Sequence, residues 1–168
     1  LFISQFTINN INNLSTVSII IPVFNRVTLI PSTLDSILNQ SYKFFSCIVI
    51  DDHSTDGTAE IIKSYSQKDN RIIYALNQRN KGAQGARNTG LLLAKSDYVI
   101  FFDSDNLMYP DFLLKTKQVL DSDSGTDICT TYSNIVDEHH KITGTFEWNN
   151  NANILIDLLT GKTYVDFN

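Results

Sequence analysis

Four short apolar runs, separated by stretches with helical spacing, constrain the fold of this chain more than any other feature. The runs predict strands over 17–21, 45–50, 71–76 and 98–102. Helices are predicted over 29–40, through 61–65, over 82–94 and from Pro110 to 120, with Pro31 in a first helical turn. Strands that alternate with helices form a parallel sheet covered by helices on both faces. The predicted fold class is therefore α/β, with a small C-terminal β element over 128–136 and 142–148 and a last helix over 151–159.

The fourth apolar run, Tyr98–Phe102, ends at two carboxylates, Asp103 and Asp105. A continuous apolar run is expected of a strand buried on both faces. In open parallel sheets, ligands bind beyond the carboxyl ends of the strands. Two close carboxylates repel each other, and a divalent cation such as Mg²⁺ or Mn²⁺ would relieve the repulsion and bridge to substrate phosphates. The alternative is an acidic turn in which an aspartate caps the next helix.

Polar turns also follow the first and second predicted strands. The first turn is Pro22, Val23, Phe24 and Asn25, with Pro22 marking the end of the strand, and the second is Asp51, Asp52, His53 and Ser54. Because the carboxyl ends of parallel strands meet at one edge of a sheet, the three turns are expected to form one site. Asp52 would accept a hydrogen bond from a base or ribose, Asn25 would contact the base edge, and Asp105 would hold a diphosphate through the metal. The alternative for the second turn is a helix cap, with Ser54 or Thr55 as the capping residue.

Composition and charge exclude several classes of protein. The chain has 168 residues, 42% of them hydrophobic and 18% charged, as expected of one soluble globular domain. A net charge of −5 argues against a nucleic-acid-binding protein, which would present a basic face. No apolar run approaches the length of a transmembrane helix. Cys47 and Cys129 lie far apart in apolar surroundings, which favours buried thiols in a reduced, intracellular protein. The chain begins at Leu1 and not at a methionine, as expected of a fragment.

Four sequence blocks, in this order, resemble family-two glycosyltransferases of the GT-A (Rossmann-like) fold. They are Val-Ser-Ile-Ile-Ile-Pro-Val-Phe-Asn (17–25), Asp-Asp-His-Ser-Thr-Asp-Gly-Thr (51–58), Asn-Lys-Gly-Ala-Gln-Gly-Ala-Arg-Asn-Thr-Gly (80–90) and Phe-Phe-Asp-Ser-Asp-Asn (101–106). The resemblance implies inverting transfer of a sugar from a nucleotide diphosphate, usually uridine-linked, to the hydroxyl of a glycan or lipid-linked acceptor. It also implies a cytoplasmic protein, or one bound peripherally at the inner membrane face.

Residue by residue, the resemblance assigns a set of ligand contacts. The nucleotide-sugar contacts are Pro22, Val23, Phe24, Asn25, Asp52, Gly82, Arg87, Asn88, Asp103 and Ser104. Asp103 and Asp105 match the acidic metal-binding motif, with Asp105 as the direct ligand of Mn²⁺ or Mg²⁺. Arg87 is the expected cation near the diphosphate, and its alternative is an arginine on the surface of a helix. The chain departs from the family where Arg26 stands in place of a frequent acidic residue and Asn106 in place of a frequent aspartate.

The general base of the family comes from its acceptor half, and no matching carboxylate follows Asp127. Asp137 and Glu138 are predicted to form a hairpin turn, Asp157 lies on an apolar helix, and Asp166 is among the last three residues. We therefore predict a loose leader over 1–16 and a GT-A domain over 17–168 that lacks part of the acceptor half. The alternative function is a nucleotide-sugar-binding module without turnover.

Other binding motifs fail on spacing. A calcium loop that begins at Asp103 would place Met108 where glycine belongs and Leu114 where the bidentate glutamate belongs. The stretch 82–85 lacks the paired glycines of a dinucleotide-binding fingerprint. The three histidines, at 53, 139 and 140, do not have the spacing of a metal site and are predicted to be solvated turn residues.

Overall fold

The computed structural model describes residues 16–137, 139 and 141–146. The chain divides into two compact units, Leu1–Gln118 and Val119–Asn168. The predicted helix over 151–159 and all of the predicted leader except Thr16 lie outside the described residues. None of the helices in the described part has the length and apolar character of a transmembrane segment.

The first unit is built on a parallel sheet with the strand order β3-β2-β1-β4. Its strands are β1 (Val17–Val23), β2 (Phe45–Asp51), β3 (Ile72–Leu76) and β4 (Tyr98–Phe101). The helices that connect them are α1 (Ile30–Leu38), α2 (Thr58–Lys68) and α3 (Ala83–Leu93). A fourth helix, α4 (Phe112–Ser122), follows β4 and continues past the boundary between the units. The predicted α/β class and parallel sheet are confirmed.

The strand β1 is the centre of the sheet and is buried along its whole length. On one face of the sheet, Ile19 and Ile21 pack with Leu34 of α1. On the other face, Ile48 and Ile50 of β2 pack with Ala86 of α3. Full burial of each large aliphatic side chain stabilises the fold by roughly 2 kcal/mol. The central strands are therefore a rigid base for the turns that leave their carboxyl ends.

The predicted end of β1 at Pro22 is wrong, because the strand continues through this proline to Val23. The N–H of Asp52 donates to the carbonyl of Val23 on the β2 side. Since successive backbone groups of a strand face opposite neighbours, the nitrogen of Pro22 faces the β4 side. There β4 pairs with β1 only from Val17 to Ile20. A missing N–H at Pro22 therefore removes no strand-pairing hydrogen bond.

The prediction that β4 is buried on both faces is also wrong. Tyr98 and Ile100 pack against the core, whereas Val99 and Phe101 are 39% and 48% exposed. Phe101 is in register with Ile20, on the face that α3 covers. However, α3 packs against β1 and β2, and β4 is one of the two edge strands of the described sheet. An apolar sequence alone could not distinguish this edge strand from a central one.

The second unit contains an antiparallel pair, β5 (Ser133–Val136) and β6 (Ile142–Phe146), which confirms the predicted C-terminal β element. Asp137 forms the predicted hairpin turn. Its N–H donates to the carbonyl of Lys141, and its Oδ1 accepts from the N–H groups of His139 and Lys141. The predicted start of β5 at residue 128 is wrong, because β6 pairs only with residues 133–136 in the described part of the chain.

Candidate functional site

The turn after β1 is held by side chains of the segment that follows β2. Asn25 adopts a left-handed conformation with φ 50°, which asparagine tolerates better than most residues. The N–H groups of residues 25–27 donate in turn to Ser54 Oγ, Thr58 Oγ1 and Asp56 Oδ2, at 2.9, 2.8 and 3.1 Å. The backbone of the first turn is therefore fixed against the second.

Ser54 and Thr55 do not cap the helix that follows them, contrary to the prediction. The helix α2 begins after Gly57, which has φ 92° and makes no side-chain cap. Ser54 instead accepts from Asn25, while its own N–H donates to Asp51 Oδ1 at 2.9 Å. The N–H of Thr55 donates to Asn25 Oδ1 at 2.9 Å. These polar groups join the ends of β1 and β2. The second turn therefore does not cap α2 through Ser54 or Thr55.

Asp52 is a buried carboxylate, 5% exposed, at the centre of this edge of the sheet. Asn77 Nδ2 donates to its Oδ1 at 2.6 Å, and the N–H of Gly82 donates to its Oδ2 at 2.8 Å. Such charge-assisted hydrogen bonds offset the cost of burying the charge. A carboxylate has about four acceptor positions, so Asp52 keeps acceptor capacity for a ligand. It ties the ends of β2 and β3 to the start of α3.

Asn77 was missed in the sequence analysis, although it directly follows β3 as the other site residues follow their strands. It is 4% exposed, and its amide also donates to the carbonyl of Asn80 at 3.0 Å. Its Oδ1 accepts from Thr89 Oγ1 and from the N–H of Arg79, both at 2.9 Å. Thr89 comes from inside α3, and nothing in its sequence position indicated this role.

The start of α3 lies close to the same strand ends. Gly82 precedes the helix with φ 111°, a conformation that favours glycine. A Cβ on Gly85 would overlap the carbonyl oxygen of Asn80, so the first turn can approach the 80–82 turn only without a side chain there. The N-terminus of a helix carries unpaired N–H groups and partial positive charge. Phe24, 42% exposed, lies beneath Lys81, whose Nζ is 5.0 Å from the ring centroid.

Two carboxylates beyond β4 each face an arginine. Arg87 Nη2 donates to Asp103 Oδ1 at 2.9 Å, and Arg26 Nε lies 3.8 Å from Asp105 Oδ2. The side chains of Asp103 and Asp105 are 43% and 46% exposed. Arg26 follows β1 and Arg87 lies on α3. These two ion pairs therefore link the segment after β4 to the turn after β1 and to α3.

The backbone of the segment after β4 is anchored by polar side chains of α1 and of the residues just after it. Thr33 and Ser36 lie three residues apart on one face of α1, and Gln40 lies two residues beyond the last residue of the helix. Their side chains bond to main-chain groups of Ser104, Met108, Tyr109 and Leu113. Ser104 is itself 8% exposed, and Gln40 is fully buried. The sequence analysis missed these anchoring side chains.

Tyr74 of β3 supports the end of β2 from the side. Its hydroxyl donates to Asp51 Oδ2 at 3.2 Å, and Lys63 Nζ lies 5.0 Å from its ring centroid. Burial, followed by the negative charge of Asp51, raises the pKa of Tyr74 to about 12. The phenol is therefore protonated at neutral pH and remains a hydrogen-bond donor.

The chain of contacts described above brings nearly all of the sequence-predicted residues to one edge of the sheet. These are Pro22, Val23, Phe24, Asn25, Asp52, Gly82, Arg87, Asp103, Ser104 and Asp105. Asn88 is the exception. Its side chain is exposed on α3, and among the described residues no hydrogen bond or ion pair joins it to the strand ends.

Asp103 and Asp105 are the residues expected to bind the divalent cation. In the ranges that the structure describes, no three His, Cys, Asp or Glu side chains group as a metal site. Mg²⁺ in nucleotide-binding enzymes is typically held by one or two carboxylates together with substrate phosphates. The two half-exposed carboxylates provide hard oxygen ligands, which fit that kind of ion. Their role as ligands stays a prediction.

Comparisons with known proteins agree on a family. The sequence profile described as Glycosyl transferase family 2 matches residues 18–166. Glycosyltransferase GlyA of Streptococcus pneumoniae is 41% identical over 97 residues, which are 58% of this chain and 14% of that protein. The UDP-Glc:alpha-D-GlcNAc-diphosphoundecaprenol beta-1,3-glucosyltransferase WfaP of Escherichia coli is 38% identical over 131 residues, which are 77% of this chain and 50% of that protein.

Solved structures show the same architecture. S. aureus TarS 1–349 in complex with UDP has a TM-score of 0.59 and 29% identity, over 64% of this chain and 32% of that one. The mannosyltransferase PcManGT from Pyrobaculum calidifontis, in complex with GDP-Man and Mn²⁺, has a TM-score of 0.56 and 28% identity, over 63% and 32%. The chain thus spans half or less of the length of each of these relatives. Since the profile covers most of its residues, the chain belongs to glycosyl transferase family 2.

Proposed function

We propose that this chain binds a nucleotide-diphosphate sugar, with uridine as the base, and transfers the sugar with inversion to an acceptor hydroxyl. The observation that carries the proposal is the linkage of Asn25, Asp52 and Asp105 to a single edge of the sheet. In parallel sheets this edge is where ligands bind. Support for uridine comes from TarS, which was solved with UDP, and from WfaP, whose name specifies UDP-Glc.

The nucleoside half of the donor is assigned to the ends of β1 and β2. Phe24 offers a half-exposed aromatic ring, and Asn25 is held rigidly in its left-handed turn. Asp52 supplies acceptor capacity for a base N–H or a ribose hydroxyl. Pro22 and Val23 position this turn, because both belong to the buried strand β1.

The diphosphate is assigned to the segment between α3 and β4. Arg87 and the N–H groups at the start of α3 after Gly82 supply positive charge and donors, whereas no contact of the exposed Asn88 within the described part of the chain supports its predicted role. Asp103 and Asp105, which flank the buried Ser104, would hold Mn²⁺ or Mg²⁺. When bound, the cation would stabilise the negative charge that grows on the departing diphosphate. Arg87 keeps Asp103 oriented through their 2.9 Å hydrogen bond.

The acceptor in this proposal is a glycan or a lipid-linked saccharide. WfaP and a Campylobacter jejuni relative, 41% identical over 90 residues, are both named for acceptors linked to undecaprenol diphosphate. Such an acceptor would bring the protein to a membrane surface. No carboxylate is assigned as general base: Asp137 forms the β5–β6 turn, and Asp157 and Asp166 lie outside the described residues.

The test is a thermal-shift titration with UDP, UDP-sugars and GDP, each with and without Mn²⁺, on wild type and Asp105→Asn. A ligand that binds the folded state raises the unfolding temperature according to its concentration relative to its Kd. We expect Mn²⁺-dependent stabilisation by uridine ligands in wild type and its loss in Asp105→Asn. The matched control is Asp127→Asn, which removes the same charge from an exposed aspartate of the second unit.

Equal affinity of wild type and Asp105→Asn for UDP would overturn the proposed metal role. Preference for another base would overturn the assignment of uridine. Sugar transfer or sugar-nucleotide hydrolysis by the purified chain would exclude the alternative function, a binding module without turnover.

A further inference from the structure

Arg26 has a fixed backbone and a side chain that reaches across the candidate site. Its N–H donates to Thr58 Oγ1 at 2.8 Å, and its carbonyl accepts from the N–H groups of Leu29 and Ile30 at 3.1 and 2.9 Å. The side chain is nevertheless 43% exposed. The turn before α1 thus fixes the position of the Arg26 Cα atom, while the exposed guanidinium can move between different partners.

The partners of the Arg26 guanidinium come from both sides of the site. Nη1 donates to the carbonyl of Asn25 at 3.3 Å, and Nε lies 3.8 Å from Oδ2 of Asp105. At that separation the contact with Asp105 is an ion pair longer than a hydrogen bond. Half-exposed ion pairs of this kind contribute little free energy. Arg26 therefore compensates the charge of Asp105 without being committed to it.

The contrast with Arg87 supports this difference in role. Arg87 is 21% exposed and donates a 2.9 Å hydrogen bond to Asp103, so its position is fixed by its partner. Arg26 is twice as exposed and makes the longer contact. Of the two arginines, Arg26 is the one that can exchange a carboxylate for another anion.

We propose that Arg26 is a donor-binding residue: it is the counter-ion of Asp105 in the free protein and pairs with the diphosphate when donor and cation bind. This inference rests on the proposed function. A divalent cation at Asp105 repels the guanidinium and takes over the carboxylate. The diphosphate then offers Arg26 several acceptor oxygens, to which a guanidinium can bind in a bidentate manner.

The exchange of partners couples the binding of the two ligands. Without nucleotide, the cation must displace Arg26 from Asp105 and then remain near its positive charge, so cation affinity is reduced. With nucleotide bound, Arg26 has an alternative partner and this cost disappears. Cation and nucleotide therefore strengthen each other's binding, by a factor that must be the same in both directions.

The test compares Arg26→Gln with wild type in two titrations. Binding of Mn²⁺ to nucleotide-free protein is followed by the paramagnetic resonance of free Mn²⁺, and binding of UDP at saturating Mn²⁺ is followed by calorimetry. We expect Arg26→Gln to bind Mn²⁺ about fivefold more tightly, because an ion pair and a repulsion are both removed. We expect it to bind UDP about tenfold more weakly, because a charge-assisted contact is lost.

Arg71→Gln is the matched control. Arg71 also pairs with an aspartate, Asp69, at 2.7 Å, but it lies before the first residue of β3, at the opposite edge of the sheet. The control also removes one positive charge from an arginine–aspartate pair, and because that pair is far from the candidate site, both affinities should equal those of wild type. Arg26→Lys keeps the charge and should retain the Mn²⁺ affinity of wild type while recovering part of the UDP affinity.

The opposite signs of the two effects decide the outcome. Affinities in Arg26→Gln that both equal wild type, or that both change in one direction, would overturn the inference, as would the absence of Mn²⁺ binding by this variant. If Arg26→Gln gives one of these results while Asp105→Asn loses Mn²⁺ binding, only the inference about Arg26 is overturned and the proposed function stands. If Asp105→Asn binds Mn²⁺ and UDP like wild type, the proposed metal site fails instead.

Discussion

Asn77 donates its side-chain amide to the carboxylate of Asp52 across 2.6 Å, and both residues are at least 95% buried. The same amide reaches the carbonyl of Asn80, and its oxygen accepts from Thr89. A neutral amide is the side chain that can serve all these groups, because it offers two donors and an acceptor. The carboxylate proposed to contact the nucleoside is thus oriented by the residue that directly follows the neighbouring strand β3.

The first prediction concerns the charge at residue 77. Asn77→Asp keeps the shape of the side chain but places a second carboxylate against Asp52. We expect it to lower the free energy of unfolding by about 3 kcal/mol at pH 7, since two close buried carboxylates cannot both ionise at low cost. The loss should shrink at pH 5, because the raised pKa of the pair allows it to hold one proton. Urea unfolding at the two pH values measures both effects.

Two companion variants separate charge from hydrogen bonding. Asn77→Ala removes the donor without adding charge, so its loss of about 2 kcal/mol should change less between the two pH values than the loss in Asn77→Asp. Asn70→Asp adds the same charge at an exposed position between α2 and β3 and should be close to neutral. A pH-independent loss in Asn77→Asp would contradict the explanation.

The second prediction concerns Gln40, which is fully buried and joins α1 to the segment after β4. Its Nε2 donates to the carbonyl of Tyr109 at 2.7 Å, and its Oε1 accepts from the N–H of Leu113 at 3.1 Å. Gln40→Ala leaves both buried main-chain groups without these partners. We expect a loss of about 3 kcal/mol in the free energy of unfolding.

Gln67→Ala is the control for this prediction, because Gln67 is an exposed glutamine on α2. Its free energy of unfolding should stay within about 0.5 kcal/mol of wild type. Similar losses in the two variants would mean that the buried hydrogen bonds of Gln40 are not what stabilises this segment.

The sequence was informative where one local rule applies to each strand. Asn25, Asp52 and Asp103 were identified because polar residues directly follow buried apolar runs, and the same rule applied to the third strand would have identified Asn77. Gln40 could not be found this way. A glutamine in the last turn of a predicted helix looks like a solvated residue, and only the packing of a distant segment makes it a buried partner.

The same limit explains the errors about β1 and β4. Whether Pro22 ends a strand depends on how far the neighbouring strand extends, and whether Phe101 is buried depends on where α3 packs. Neither is encoded in the local sequence. Local pattern thus fixed the order of elements and the polar strand ends, and tertiary contacts decided their exact limits and burial.

The third prediction concerns the close approach of α3 to the 80–82 turn. Gly85→Ala would place a Cβ against the carbonyl oxygen of Asn80, and a backbone carbonyl cannot rotate away as a side chain can. We expect a loss of about 3 kcal/mol in the free energy of unfolding, from overpacking. Because the displaced turn carries Gly82, which bonds to Asp52, UDP affinity should also fall.

Gly144→Ala tests whether any added methyl group has this effect. Its new Cβ would meet Ile135 at 3.6 Å, an ordinary van der Waals distance. Stability and UDP affinity should therefore stay close to wild type. If Gly85→Ala behaves like this control, the helix can shift without cost, and the approach is not a constraint on the site.

The last prediction concerns the ionisation of Tyr74, whose pKa burial and Asp51 raise from 10.0 to about 12. The folded state holds this proton more tightly than the unfolded state. The ionisation of Tyr74 should therefore leave the free energy of unfolding unchanged below pH 10 and lower it as the pH rises from 10 to about 12. Tyr74→Phe removes the ionisable group, so the stability of this variant should fall less steeply over the same pH range.

Ultraviolet difference titration of wild type against Tyr74→Phe follows the ionisation of this phenol directly. Asp51→Asn should lower the pKa without restoring the ordinary value, because burial is the larger cause. Titration of Tyr74 at its ordinary value in wild type would contradict the proposed support of the β2 end by this residue.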